Sequence, residues 1–121
     1  MAYVDGFVLL VPKKSRKAYL NMARLGRKVW LKHGAVDYKE CLGDDLKIKM
    51  KGPRPFPKMA GARSGEEVWF SFIVYKSRAH RDAVNKKVMK DPRIVPMMDV
   101  KALPFDGKRM FWGGFKVMLD A

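Results

Sequence analysis

Apolar and β-branched residues crowd the stretch from Tyr3 to Val11 and stop at Pro12, which predicts a strand. From Ser15 to about His33 the spacing changes. Ala18, Met22, Leu25 and Val29 recur at helical intervals with Tyr19 and Trp30 beside them, so this segment predicts a helix capped by Ser15 and ended by Gly34. Ala35 to Leu42 reads as a second strand, followed by the acidic turn Gly43-Asp44-Asp45. Lys47 to Gly65 has little periodicity and holds Pro53, Pro55 and Pro57, which predicts a long loop. Val68 to Tyr75 is the clearest strand. Ser77 caps a second predicted helix to about Lys90, with Ala83, Val84 and Val88 as its apolar stripe and His80 continuing it. Asp91-Pro92 has the form of an N-cap with a first-turn proline, and predicts a short further helix. Met110 to Leu119 is the last predicted strand.

The order β-α-β-β-α-β predicts an α+β fold of the ferredoxin-like type: a four-stranded antiparallel sheet with two helices on one face. A single domain over residues 1–121 is expected from 121 residues. The strands are apolar on both faces. In the first, Phe7, Leu9 and Val11 alternate with Val4, Val8 and Leu10; in the third, Val68, Phe70, Phe72 and Val74 alternate with Trp69, Ile73 and Tyr75. In the last, Phe111, Phe115, Val117 and Leu119 oppose Met110, Trp112 and Met118. Two helices cover one face only, and a bare apolar sheet is a liability in water. The expectation is a homodimer packed sheet to sheet; the alternative is that the loop 47–65 folds across the open face.

Polar residues inside these strands are the candidates for chemistry. Asp5, Glu40 and Ser71 lie within strands, and Arg109 precedes the fourth. On one face they would line a pocket between sheet and helices, walled by Trp69 and Trp112, where a buried carboxyl has a raised pKa and can exchange a proton. The plainer alternative is a carboxylate paired with Arg109 or a backbone amide to hold the sheet together. Neither GxGxxG nor GxxxxGK[ST] is present, and His33 and His80 stand at no metal-ligand spacing, so no cofactor and no metal are expected. Cys41 is the lone cysteine and is expected to be a small buried residue. Gly113-Gly114 suggests a bulge or a close backbone approach.

Charge adds a second reading. Lys plus Arg is 26 and Asp plus Glu is 12, a formal net charge of +14. Arg24, Arg27 and Lys28 fall on the first predicted helix, and Lys86 and Lys87 on the second. Sharing one layer, they would form a cationic face able to bind nucleic acid or another polyanion non-specifically. No recognised nucleic-acid module accompanies them. Asp5 precedes the first apolar run and Pro12-Lys13-Lys14 follows it, the reverse of a secretory signal, and no stretch nears the ~20 apolar residues of a membrane span. A cytoplasmic protein with no membrane partner is expected.

Several segments resemble one family. YVDGF at 3–7 followed by VP at 11–12, HGA at 33–35, EC at 40–41 with GDD at 43–45, SRAHRDAVN at 77–85 followed by VM at 88–89 and DPR at 91–93, and PFDGKRM at 104–110 followed by GGF at 113–115 are similar to the YbaA-like family of small uncharacterised bacterial proteins. The resemblance implies a dimeric α/β-barrel, in which two sheets pack face to face. That superfamily includes oxygenases, isomerases and sensor domains, so the resemblance assigns no reaction. The loop 47–65 matches no motif of the family.

Overall fold

The structure, a computed structural model, describes residues 1–121. Four strands form one sheet in the order β2-β3-β1-β4, with β1 at Tyr3–Pro12, β2 at Asp37–Leu42, β3 at Glu66–Tyr75 and β4 at Phe111–Lys116. Every neighbouring pair is antiparallel. The two long helices, α1 (Arg16–Lys32) and α3 (Arg78–Met89), pack on one face; a short α2 (Phe56–Ala60) lies in the β2–β3 connection. No helix is long and apolar enough to cross a membrane.

The element boundaries shift where pairing runs out. β4 ends at Lys116 rather than Leu119, because Lys116 sits opposite Tyr3, where β1 begins. β2 starts at Asp37 because the Ala35 amide is still bonded to the Trp30 carbonyl at the end of α1. Within 47–65, α2 closes on Gly61 in the left-handed conformation at φ 71°, which a glycine adopts without strain. Asp91 does cap a turn through the Arg93 amide at 2.9 Å, but no α-helix follows, only short 3-10 turns from Val95 onward. Ser15 occupies the N-cap position of α1 without a side-chain cap bond, whereas the Ser77 hydroxyl accepts from the His80 amide.

Both helices meet the sheet on an arc shifted toward one edge of the predicted stripes, which hold at Val29, Val84 and Val88. α1 buries Tyr19, Ala23, Gly26 and Val29, and leaves Ala18 exposed. α3 buries Val84 and Val88 with Arg81 and Asn85 turned inward, and leaves Ala83 exposed. The small Ala23 and Gly26 explain the α1 rotation. A Cβ on Gly26 would stand 2.9 Å from the Tyr38 hydroxyl, so only a glycine lets the helix come this close. Gly113-Gly114 forms no bulge; the register runs through it unbroken, and a Cβ on Gly114 would run into the Tyr3 ring.

The covered face splits into two clusters. Tyr3, Val29, Ile73, Tyr75, Val84 and Val88 form the larger, and Leu9, Val11, Tyr19, Ala23 and Trp69 the smaller. The opposite face stays bare. Phe70, Phe111 and Phe115 are 44%, 53% and 62% exposed. Leu46 and Phe56, from the connection between β2 and β3, cover only one corner, beside Val68 and Phe70, and the depression formed by Val4, Val8, Phe72 and Phe115 includes no residue of that connection. Cys41 is therefore exposed rather than buried: it lies opposite Phe70 on the uncovered face of an edge strand.

Candidate functional site

Between the two clusters lies a cavity of about 300 Å3. Its size falls at the lower end of the roughly 300–1,000 Å3 range of small-molecule sites. The sheet supplies the floor through Asp5, Phe7, Tyr38, Glu40, Ser71 and Ile73. Alternation explains why these share a face: Asp5 pairs across with Ile73, and Phe7 with Ser71, which in turn faces Glu40. Tyr19, Gly26 and Trp30 of α1 and Asn85 of α3 form the roof. The connection from Ile94 to Met110, with Phe105 and three methionines, closes one side, and Trp112 stands at the rim.

Two carboxyls reach this space and differ in their company. Asp5 is 1% exposed. Arg81 Nη1 donates to its Oδ1 at 2.8 Å, and Asn85 Nδ2 to its Oδ2 at 3.4 Å. Burial raises the Asp5 pKa, against the opposing pull of Arg81. Asn85 is itself fixed, its Oδ1 accepting from Trp30 Nε1 at 3.0 Å and from the Tyr75 hydroxyl at 3.1 Å. Glu40 has no cation. The hydroxyls of Tyr19 and Tyr38 donate to its two oxygens at 2.6 and 3.0 Å. Burial raises the Glu40 pKa, and the phenol and Ser71 hydrogen bonds oppose that rise. Both phenols are pushed well above their ordinary range, first by burial and then by the Glu40 charge, so they remain donors.

Four of the sequence-predicted residues thus converge: Asp5, Glu40 and Ser71 on the floor, and Trp112 at the rim. Two do not. Arg109 lies away from the cavity, holding Glu66 by bonds of 2.6 and 2.8 Å and the Gly61 carbonyl at 2.8 Å. It is a clamp between the end of α2 and β3, and it draws the Glu66 carboxyl down to about 2. Trp69 is packed under Tyr19 at 5.0 Å in the smaller cluster, its buried indole Nε1 without a hydrogen-bond partner. The carboxylate in the sheet therefore pairs with Arg81 rather than Arg109. Arg81, Asn85, Tyr19 and Tyr38 were not among the predicted site residues. Signals for them exist: Arg81 and Asn85 stand at i, i+4, and Tyr38 and Glu40 at i, i+2, each spacing that puts both on one face.

The histidines take structural roles. His33 Nε2 lies 2.9 Å from Asp91 Oδ2, tying the end of α1 to the turn after α3. His80 Nδ1 accepts from the Lys76 amide at 3.0 Å. The basic candidates Arg24, Arg27, Lys28, Lys86 and Lys87 are all exposed and none is in an ion pair.

Residues 2–107 match the family model described as "Protein of unknown function (DUF1428)". The chain belongs to the DUF1428 family. It is 40% identical over 120 residues to "Uncharacterized protein YbaA" of Escherichia coli (strain K12), covering 99% of each chain, and equally to the protein of that name in Shigella flexneri. The resemblance carried by the motifs is thereby established along the whole length. The DUF1428 family has no assigned function and these relatives are uncharacterised, so the geometry of the cavity is the guide to what the chain does.

Proposed function

We propose that this DUF1428 protein is a small-molecule-binding ferredoxin-like domain that works as a sheet-to-sheet homodimer. The observation that carries the binding reading is the cavity itself. It is lined mainly by apolar side chains, yet the Glu40 carboxyl enters it with only phenols and a hydroxyl around it. A carboxylate held only to stabilise a sheet would be matched by a cation, as Asp5 is by Arg81. The strand order β2-β3-β1-β4 with α1 and α3 on one side supports the ferredoxin-like assignment. The exposed phenylalanines of β3 and β4 support the dimer, since a second copy buries like against like.

The binding reading is tested with the neutral fluorophore N-phenyl-1-naphthylamine. Saturable fluorescence enhancement at one dye per chain is expected, weakened at least tenfold by Met22→Trp, which fills the cavity from α1. A dye signal absent up to its solubility limit refutes the reading. Native mass spectrometry of protein from its own host reads the subunit number and any retained molecule together.

A second reading rests on the unpaired cations. α1 carries no acid, and its Arg24, Arg27 and Lys28 share the helical layer with Lys86 and Lys87 of α3. Such a layer would bind RNA or DNA backbone with an affinity falling steeply as salt rises. Mobility of tRNA and duplex DNA across a salt series tests it; no retardation at low salt removes it.

A further inference from the structure

We infer that the cavity takes a hydrophobic amine: a compact apolar body ending in one cationic nitrogen, seated against Glu40. The inference rests on the binding reading above and specifies its ligand.

The charge balance of the wall is the starting point. Its side chains of ordinary acidic or basic character are Asp5, Lys39 and Glu40. Asp5 is matched by Arg81 at 2.8 Å. Lys39 is a member of the wall, but its ammonium reaches out to Asp37 Oδ1 at 3.2 Å. Glu40 alone is unmatched, so with all three ionised the wall is short of one positive charge. A ligand bringing that charge completes the balance, whereas an anionic ligand would place a second negative charge beside a buried carboxyl at high cost. The overall charge of +14 does not supply the missing positive charge, because no basic residue forms an ion pair with Glu40.

Hydrogen-bond capacity agrees. Tyr19, Tyr38 and Ser71 hydrogen-bond the Glu40 carboxylate, and of its four acceptor positions one is left open. The site therefore asks for a donor, and an ammonium has three and no acceptor. Four aromatic residues, Tyr19, Trp30, Tyr38 and Phe105, line the same cavity. A ligand cation seated beside Glu40 lies among side chains of the type that attract a cation through a ring face. The rest of the wall is rich in methionine, including Met22, Met97 and Met110, whose flexible side chains adapt to bodies of different shape.

Three probes of similar size separate the charge states: 2-phenylethylamine, 2-phenylethanol and 3-phenylpropionate, titrated calorimetrically at pH 7.5 and by displacement of N-phenyl-1-naphthylamine. The amine is expected to bind at least about tenfold more tightly than the alcohol, and the carboxylate weakest of all. Glu40→Gln should bring the amine to the level of the alcohol measured on the same variant, whose fold is checked by its circular dichroism and melting curve. Carboxylate binding equal to or tighter than the amine overturns the inference, as does an amine preference that survives Glu40→Gln. If the fluorophore binds and none of the three probes does, the amine inference fails while the binding reading stands. If nothing binds, both fail.

Discussion

The two faces of the sheet are built from the same strands and have opposite designs. On the helix-covered face, polar groups are set among apolar ones, and each buried polar side chain of the cavity wall has a partner: Asp5 with Arg81 and Asn85, Glu40 with two tyrosines. On the uncovered face, Val4, Val8, Phe70, Phe72, Phe111 and Phe115 present carbon and nothing else. Phe115 leans over Gly6, where a Cβ would stand 3.3 Å from its ring. The difference teaches that burial alone does not make a site. The covered face spends its enclosure on positioned polar groups and an internal space, while the bare face offers area, which is what a second subunit needs.

The contrast breaks most severely at Arg81. Arg81→Leu leaves Asp5 buried without its cation, and a loss of about 3 kcal/mol is expected in urea denaturation. The double variant Asp5→Leu/Arg81→Leu should recover much of that loss, because it removes both charges. On the other face, Phe115→Asp should leave the unfolding free energy of the chain nearly unchanged. It should weaken self-association by about 2 kcal/mol or more, seen by sedimentation velocity as a shift to the single chain. A chain that sediments as a monomer before any substitution would remove the dimer from the proposal.

Smaller effects sharpen the inner face. Gly26→Ala would ordinarily gain about 1 kcal/mol from helix propensity. Here the new methyl meets the Tyr38 hydroxyl at 2.9 Å, so no gain in melting temperature is expected. Tyr19→Phe removes the shorter of the two bonds to Glu40 and should cost about 1 kcal/mol. It should also raise the Glu40 pKa further, since that bond stabilises the charged form; carboxyl NMR titration reads the direction. The smallest effect is at Glu66. Its folded-state pKa is lowered from the ordinary 4.5 to about 2 by Arg109, so its contribution is present above 4.5 and fades as pH falls toward 2. The stability difference between the protein and Glu66→Gln should shrink across that window.

Much of this was legible in the residues. Strand alternation and helical spacing set the element order, and two-sided greasiness marked the open face before any strand was placed beside another. Asp5, Glu40 and Ser71 stood out because a polar side chain in an apolar strand needs a reason. Local sequence could not assign their partners. Arg81 lies 76 positions from Asp5 and Glu67 lies 51 from Arg16, and only the packing of α3 and α1 onto the sheet brings each pair together. The helix stripes hold at Val29, Val84 and Val88 and fail at Ala18 and Ala83 for a related reason: periodicity finds an apolar arc but not which part of it meets the sheet. That was decided by the fit of Gly26 against Tyr38 and by the inward turn of Arg81 toward Asp5. Cys41 looked like core material by its type and is exposed, because the face it occupies has no cover within the chain. Sequence by itself determined the order of the four strands and two long helices, the polar candidates and the excess of positive charge, since each depends on neighbours along the chain or on simple counts. Tertiary structure alone decided the pairing of Asp5, the isolation of Glu40 from any cation and the empty space between them, because these depend on distances between segments that the chain order does not encode.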